Sequence, residues 1–471
     1  MGDPSRAAGA ADRGREVSGL VSELNAATRE TSQSTSTGQL RCAVIGAGPS
    51  GLAAARNFSA IGANVTVFER HTDLGGNWCL DSPHSSVLPS THLISSKRIT
   101  EFTDFPMPDS WPAYPRQSQV MEYFRSYAEH FDLRRLIRFG TAVVRAEPRT
   151  RGWSLEVAGA NGDGSSREDF DLLVVASGHH WDPLWPEISQ DFAGEKIHSH
   201  HYKSPSQLAG KRVLVVGAGN SGCDIAVEAS TVAQAVTLSL RRGYHFLPKF
   251  LFGKPADECA QRLHRWSLPL VLRRWVASVV LYASVGPLKR YGLPSPDHRL
   301  FETHPIVNSQ LLYHVGHGRV AVAGDVKAFR GNTAIFADGS EREFDTVVFA
   351  TGYRITMPFL DRSWWQDDAG QLILHLNAFH PQRDDLVFVG LVQPDGGIWC
   401  LSDLQTKIAA AYWKAKTTNS RNVRWFTQQC QQGPVEVSGG IRYIASPRHL
   451  LEVQYYAYRR RLEHLLRRLG G

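Results

Sequence analysis

Gly46-Ala47-Gly48-Pro49-Ser50-Gly51 follows the apolar run Arg41 to Ile45 and opens an alanine-rich stretch. Gly217-Ala218-Gly219-Asn220-Ser221-Gly222 repeats the arrangement after Arg212 to Val216. In each, the first glycine permits a tight turn, the second lets backbone N–H groups approach a pyrophosphate, and the third lets helix and strand pack closely. The N-terminus of the following helix favours the negative charge. Two such turns in one chain predict two dinucleotide sites, and with them an α/β fold built from two Rossmann-like domains.

The residue that ends the next strand separates the two sites. After the first turn, Asn64 to Phe68 runs into Glu69, a carboxylate placed where it accepts hydrogen bonds from an adenosine ribose and repels a 2′-phosphate. That suits FAD or NAD. After the second turn, Val236 to Leu240 leads to Arg241 and Arg242, cations where a 2′-phosphate would lie, which suits NADP. Taken singly, either charge is also what an exposed strand end carries; their opposite signs after matched turns favour the two-cofactor interpretation.

The remaining punctuation gives the domain plan. Residues 1–39 are rich in Ser, Thr, Gly, Ala and charge without apolar periodicity, and are expected to be disordered; they lack the apolar core of a secretory signal. A first FAD-binding part is expected over 40–202, an NADP-binding domain over 203–318 with an apolar helical insertion at 250–295, and the second FAD-binding part with a solvated C-terminal helix over 319–471. Asp171 to Gly178 and Asp345 to Gly352 both read as buried parallel strands ending at a glycine, a matched pair that marks two crossings between domains. The 471 residues, 42% hydrophobic and 21% charged, suffice for two globular cores. The six cysteines form no C-x-x-C pair and no zinc-like spacing, so reduced thiols in a cytosolic compartment are expected, a disulfide reductase on a similar scaffold is disfavoured, and no metal is called for. A formal charge of +7 suits an anionic cofactor, and no nucleic-acid motif accompanies it. The apolar run from Trp266 to Leu288 is interrupted by Pro269, Arg273, Arg274 and Pro287, which argues against a spanning helix. It leaves two arrangements: an insertion packed over the active-site entrance, which is favoured, and a helix pair lying on a membrane surface.

Between the two turns, Phe192, Gly194, His198 and Tyr202 fill every specified place of the pattern F-x-G-x-x-x-H-x-x-x-[FY]. With Gly75-Gly76-Asn77-Trp78, Asp104-Phe105-Pro106-Met107-Pro108, Phe349-Ala350-Thr351-Gly352-Tyr353, Asp297-His298-Arg299 and His304-Pro305-Ile306-Val307-Asn308, the chain resembles the flavin-containing monooxygenases over residues 40 to 460. The related Baeyer–Villiger group has Trp-Pro or Trp-Asp where this chain has Tyr202-Lys203. The resemblance implies a glutathione-reductase-like architecture, FAD and NADPH as cofactors, and dioxygen and a small organic molecule as substrates. It implies FAD contacts from Gly46, Gly48, Pro49, Ser50, Gly51, Glu69, Gly76 and Trp78, with Thr351, Gly352 and Gln405 close to the cofactors. It implies NADP contacts from Gly217, Gly219, Asn220, Ser221 and Gly222, with Arg241 or Arg242 on the 2′-phosphate. His198 resembles the fingerprint histidine of the inter-domain linker; with Tyr202, Ser95 and Ser96 it forms the expected catalytic set.

One position departs from the family pattern. Relatives that oxygenate amines and sulfides place an asparagine before a Thr-Ser-Lys-like stretch, where it helps hold the oxygenated flavin, a C4a-(hydro)peroxide, and the nicotinamide. Here Leu93-Ile94-Ser95-Ser96-Lys97 puts Ile94 there, with Ser95 or Ser96 as substitute donors. The plant auxin-pathway flavin monooxygenases also lack the asparagine. N- or S-oxygenation is the expected activity, with oxidative decarboxylation of an α-keto acid, Baeyer–Villiger oxygenation and uncoupled NADPH oxidation as alternatives.

Overall fold

The computed structural model describes residues 39–159, 164–265, 268–417 and 421–470. The extension expected over 1–39 lies outside them except for Gln39, and the apolar run beginning at Trp266 is described from Leu268 onward.

In chain order, β1 (Arg41–Ile45), β2 (Asn64–Phe68), β3 (Ile137–Arg138) and β4 (Leu172–Val175) build most of a first parallel sheet. The chain then crosses and lays down β5 (Glu195–His198), β6 (Arg212–Val216), β7 (Ala235–Ser239), β8 (Ala321–Ala323) and β9 (Thr346–Phe349) as a second parallel sheet. It returns with β10 (Leu386–Phe388). The strand orders are β10-β4-β1-β2-β3 and β8-β7-β6-β9-β5. In both sheets the strand after the glycine turn lies on one side of the first strand and a late strand on the other, the Rossmann pattern repeated. β4 and β9 are buried along their whole length, which is why they read as unbroken apolar runs. Each is preceded by a three-stranded antiparallel meander, Thr141–Pro148, Trp153–Gly159 and Ser165–Phe170 in the first unit, and Val326–Arg330, Thr333–Phe336 and Glu341–Glu343 in the second.

This topology corrects the domain boundary at 203–318. β5 precedes that span, β8 and β9 follow it, and all three belong to the second sheet. The reason is pairing: Val213 to Val216 of β6 align with Thr346 to Phe349 of β9, and Arg212 fixes the register by donating from its N–H, Nε and Nη2 to Asp345.

Helix α1 (Pro49–Ala60) follows the first turn, with Pro49 in its first turn where no N–H is needed, and α2 (Asn220–Ala229) follows the second. The insertion forms a short hairpin at Phe250–Leu251 and Lys254–Pro255, then α3 (Ala256–Arg265) and α4 (Leu270–Val285). Helix α5 (Trp399–Lys416) runs through the core of the first unit beside α1. Helix α6 (Tyr455–Gly470), expected to be solvated, buries Tyr455, Tyr458, Leu462, Leu465 and Leu469 and docks on α5, because its apolar residues fall on one face. Arg460, Arg461, Arg467 and Arg468 stay exposed, Arg468 lying over Trp425, while half-buried Arg459 pairs with Glu463.

Candidate functional site

The first turn is held open by contacts that only glycine tolerates. Gly46 has φ +100°, and a β-carbon there would meet the Ala176 carbonyl oxygen at 2.7 Å. A β-carbon on Gly51 would lie 1.8 Å from the Gly46 carbonyl oxygen, so α1 presses directly on the turn. Gly48 is different: its φ is −71° and a β-carbon there would fit without a clash, the nearest atom being Gly76 Cα at 3.7 Å. That second turn, Gly76–Trp78, is tied to the first by Gly75 N–H donating to Ala47 O, so two glycine-lined backbones face each other across a slot. Glu69 is buried at the end of β2 and accepts from the N–H of Ala47 and of His71, which aims it at the cradle. A carboxylate has room for two further bonds, as ribose hydroxyls require. Ser177 Oγ, at the carboxyl end of β4, is buried without a hydrogen-bond partner among the described residues. Cradle, carboxylate and orphan hydroxyl fit a bound dinucleotide here.

The second turn repeats these contacts. Gly217 has φ +105° with a β-carbon position 2.5 Å from Ala350 O, and that of Gly222 is 1.9 Å from Gly217 O. A β-carbon on Gly219 would meet only the Arg448 guanidinium, at 3.6 Å. The side chain of Asn220 is committed elsewhere, accepting from Val307 N–H and donating to Pro305 O, so it anchors the returning insertion and leaves ligand contact to backbone N–H groups. Of the two arginines after β7, Arg242 approaches Asp297 at 3.6 Å, whereas Arg241 is exposed and has no carboxylate within ion-pair distance among the described residues. Arg241 is therefore the freer cation for a 2′-phosphate.

Several expected site residues are engaged by neighbours within the fold. Gln405 is completely buried on α5, accepting from Gly390 N–H and donating to Tyr458 OH, so it holds the loop after β10 in place. Ser50 Oγ and Ser402 Oγ are 3.0 Å apart on the same seam. Thr351 donates to Leu184 O and, with Gly352, starts the ribbon in which Tyr353–Arg354 pairs with Asp182–Pro183, where the chain passes between sheets. Tyr202 is buried in the core of the second unit with its hydroxyl donating to Glu228, whose other oxygen accepts from Ser90 of the first unit. Tyr202 thus braces the second unit against the first through Glu228. His198 closes β5 opposite Phe349, between the rings of Trp185 and Tyr353. Burial pushes its imidazole down to about 4, with His200 and His201 adding to the effect, so it is neutral at physiological pH; its Nδ1 accepts from His200 N–H. It is fully enclosed where the chain passes between the sheets. No group of histidines, cysteines or carboxylates suited to a metal occurs among the described residues.

Around Ser95 and Ser96 the structure adds partners from the insertion. Ser96 N–H donates to Asp257, Lys249 Nζ donates to Leu93 O, and Tyr114 OH donates to Lys249 O. Lys249 and Asp257 therefore hold the backbone of the stretch carrying Ile94, whose side chain stays 42% exposed. Helix α4 behaves otherwise: none of its residues is buried, and Val271, Trp275, Val279 and Tyr282 form one exposed apolar stripe. No described helix is long and apolar enough to cross a membrane.

The sequence did not single out Asp403, Lys407, Arg56 or Asn57, which surround Asp104 of the quoted Asp-Phe-Pro-Met-Pro motif. Arg56 pairs with Asp104 at 2.6 Å, Lys407 with Asp403 at 2.9 Å, and Asn57 Nδ2 donates to Asp403 Oδ1. Burial alone would raise the Asp403 carboxyl; Lys407, Thr103 and Asn57 together hold it below its ordinary value. The i, i+4 spacing of Asp403 and Lys407 was the available signal.

Two glycine cradles with opposite charge partners, each on its own parallel sheet and joined by a short ribbon, define a flavoprotein oxidoreductase that takes a second, nicotinamide dinucleotide. Comparison with known proteins narrows this. The chain belongs to the flavin-binding monooxygenase-like family, whose model matches residues 39–431. It is 35% identical over 436 residues to flavin-containing monooxygenase 5 of Homo sapiens, covering 88% of this chain and 80% of that one. It is 34% identical over 392 residues to dimethylaniline monooxygenase [N-oxide-forming] 2 of Oryctolagus cuniculus, covering 79% and 73%. Its fold is shared with the S-allyl-L-cysteine S-oxygenase of Allium sativum, at TM-score 0.62 and 22% identity over 90% of this chain and 88% of that one. It is shared also with a steroid monooxygenase bound to NADP, at TM-score 0.65 and 17% identity over 92% and 98%. The protein is an FAD- and NADPH-dependent monooxygenase acting on a small molecule and dioxygen.

Proposed function

We propose that the enzyme inserts one oxygen atom into a soft nucleophile, the nitrogen of an amine or the sulfur of a sulfide. The observation that carries this proposal is the pair of cradles, FAD on Gly46 to Gly51 with Glu69 and NADPH on Gly217 to Gly222 with Arg241, together with 34% identity to an N-oxide-forming relative. FAD and NADPH supply hydride transfer and the activation of dioxygen. The chain's own residues bind and orient: Glu69 addresses the ribose, the glycine turns accept the pyrophosphates, neutral His198 fills the crossover, and Lys249 with Asp257 holds the Leu93–Ser96 backbone at the entrance. Incubating the flavin-loaded enzyme with NADPH and a panel of tertiary amines, thioethers, ketones and α-keto acids tests this. N-oxides or sulfoxides are expected.

A second activity, oxygenation of a carbonyl compound, is favoured by Ile94, which offers no amide where the amine- and sulfide-oxygenating relatives have one. Release of carbon dioxide from a keto acid, with amines and thioethers inert, would replace the first proposal by this one. The exposed stripe of α4 supports peripheral contact with a membrane surface, for which Trp275 and Tyr282 are suitable interfacial side chains. Flotation with anionic vesicles that is lost in Trp275→Asp would support it; absence of flotation in the unaltered protein would overturn it.

A further inference from the structure

Arg448 reaches the second glycine turn from the other unit. It sits in the turn Pro447–His449, whose neighbours belong to the first unit: Leu451 packs in that core, and Glu452–Val453 pairs with Gln393–Pro394. The turn is braced by Arg448 N–H donating to Ser446 Oγ and by His449 Nδ1 meeting Ile444 O at 2.7 Å. From this base the guanidinium extends to Gly219, where Nη2 lies 3.6 Å from the position a β-carbon would take.

The electrostatics of that placement are incomplete. Gly219 caps the N-terminus of α2, the positive end of the helix, with no side-chain cap and no acidic residue in the first turn. Arg448 is exposed and makes neither ion pair nor side-chain hydrogen bond among the described residues. Burial pushes nearby His180 down to about 4, with His304 and Arg448 adding to the effect, while the carboxylate on that side, Glu452, is engaged by His304 at 3.0 Å. A cation facing the positive end of a helix is unfavourable unless an anion lies between them.

We propose that Arg448 is a clamp on the pyrophosphate of the nicotinamide coenzyme: the first unit supplies the guanidinium, the second supplies the turn, and the bound coenzyme bridges both. This rests on assigning the second turn to NADPH. Because NADP+ and NAD+ share the pyrophosphate and differ only at the 2′-phosphate, loss of Arg448 weakens both alike, unlike loss of Arg241.

Calorimetric binding of NADP+ and of NAD+ to the flavin-loaded protein tests the clamp. Arg448→Gln is expected to raise both dissociation constants by the same factor, about tenfold or more, with flavin content and melting temperature unchanged. Arg448→Lys, which keeps the charge without the fork, is expected to fall between. Both constants staying within about twofold of the unaltered protein, or a loss confined to NADP+, would overturn the clamp while leaving the coenzyme assignment intact. If the unaltered protein binds neither coenzyme, the assignment of the second turn fails and the clamp fails with it.

Discussion

Gly48 and Gly219 hold equivalent places in the two turns, and both have backbone angles that alanine adopts freely, near φ −70° and extended ψ. An added methyl group meets nothing of the polypeptide closer than 3.6 Å at either. What it occupies is the space through which a pyrophosphate approaches the backbone. Gly48→Ala is therefore expected to purify folded but depleted of FAD, and Gly219→Ala to keep FAD and bind NADP+ at least tenfold more weakly, on the order of 1.4 kcal/mol. Flavin absorbance per polypeptide and calorimetry check the pair; normal loading of both would show that the turns do not hold dinucleotides. Arg241→Ala should raise the dissociation constant for NADP+ and leave that for NAD+ nearly unchanged, with Arg242→Ala weaker because Asp297 already engages it. Equal losses for both coenzymes would remove Arg241 from the 2′-phosphate site. The turns and their charge partners were legible in the sequence because each depends on a local spacing. The duties of Tyr202 and Gln405 were not: they are set by Glu228 and Tyr458, contacts separated by 26 and 53 residues.

Between elements, buried charge decides stability. The seam of α1, α5 and the stretch around Asp104 holds two carboxylates against Arg56 and Lys407. Asp403→Ala leaves Lys407 with the Thr103 hydroxyl and, as its carboxylate, Asp104 at 3.5 Å, and breaking such a buried pair costs about 3–5 kcal/mol. A lower melting temperature with a loss of bound FAD is expected, and an unchanged melting temperature would contradict the role given to the cluster. On α2, burial lifts the Asp224 carboxyl to about 6, with Glu228 adding to it and Lys249 and Asn308 opposing. The folded state thus holds this proton more tightly than the unfolded chain. Stability falls as pH rises from about 4 to about 6 and is flat above, the deficit near neutrality being on the order of 2–3 kcal/mol. Asp224→Asn should flatten that window and stabilise the protein at pH 7; urea unfolding at several pH values reads both effects. Strand identities were legible here, since β4 and β9 are apolar throughout. Their allegiance was not, because a buried parallel strand carries no mark of the sheet it joins, and only pairing with β6 assigns β9 to the second unit.

For the whole molecule, two repeated units are joined at one crossover, and the insertion from the second unit is tied to the first by Asp257 and Lys249 on the Leu93–Ser96 stretch and by His264, whose ring stacks on Tyr456 of α6. The insertion was recognisable as an apolar interruption, but its division into a packed start and an exposed helix α4 was not, because leucine and tryptophan with arginine flanks describe either state. The central claim is that this assembly couples NADPH oxidation to transfer of one oxygen atom from dioxygen to a small nucleophile. The measurement that tests it most directly is mass spectrometry of the product formed from a thioether or tertiary amine by the flavin-loaded enzyme with NADPH under ¹⁸O₂, with coenzyme consumption followed in parallel. One labelled oxygen in the sulfoxide or N-oxide for each NADPH consumed is the expected result, and NADPH consumption that yields hydrogen peroxide with no labelled product from any substrate would contradict it.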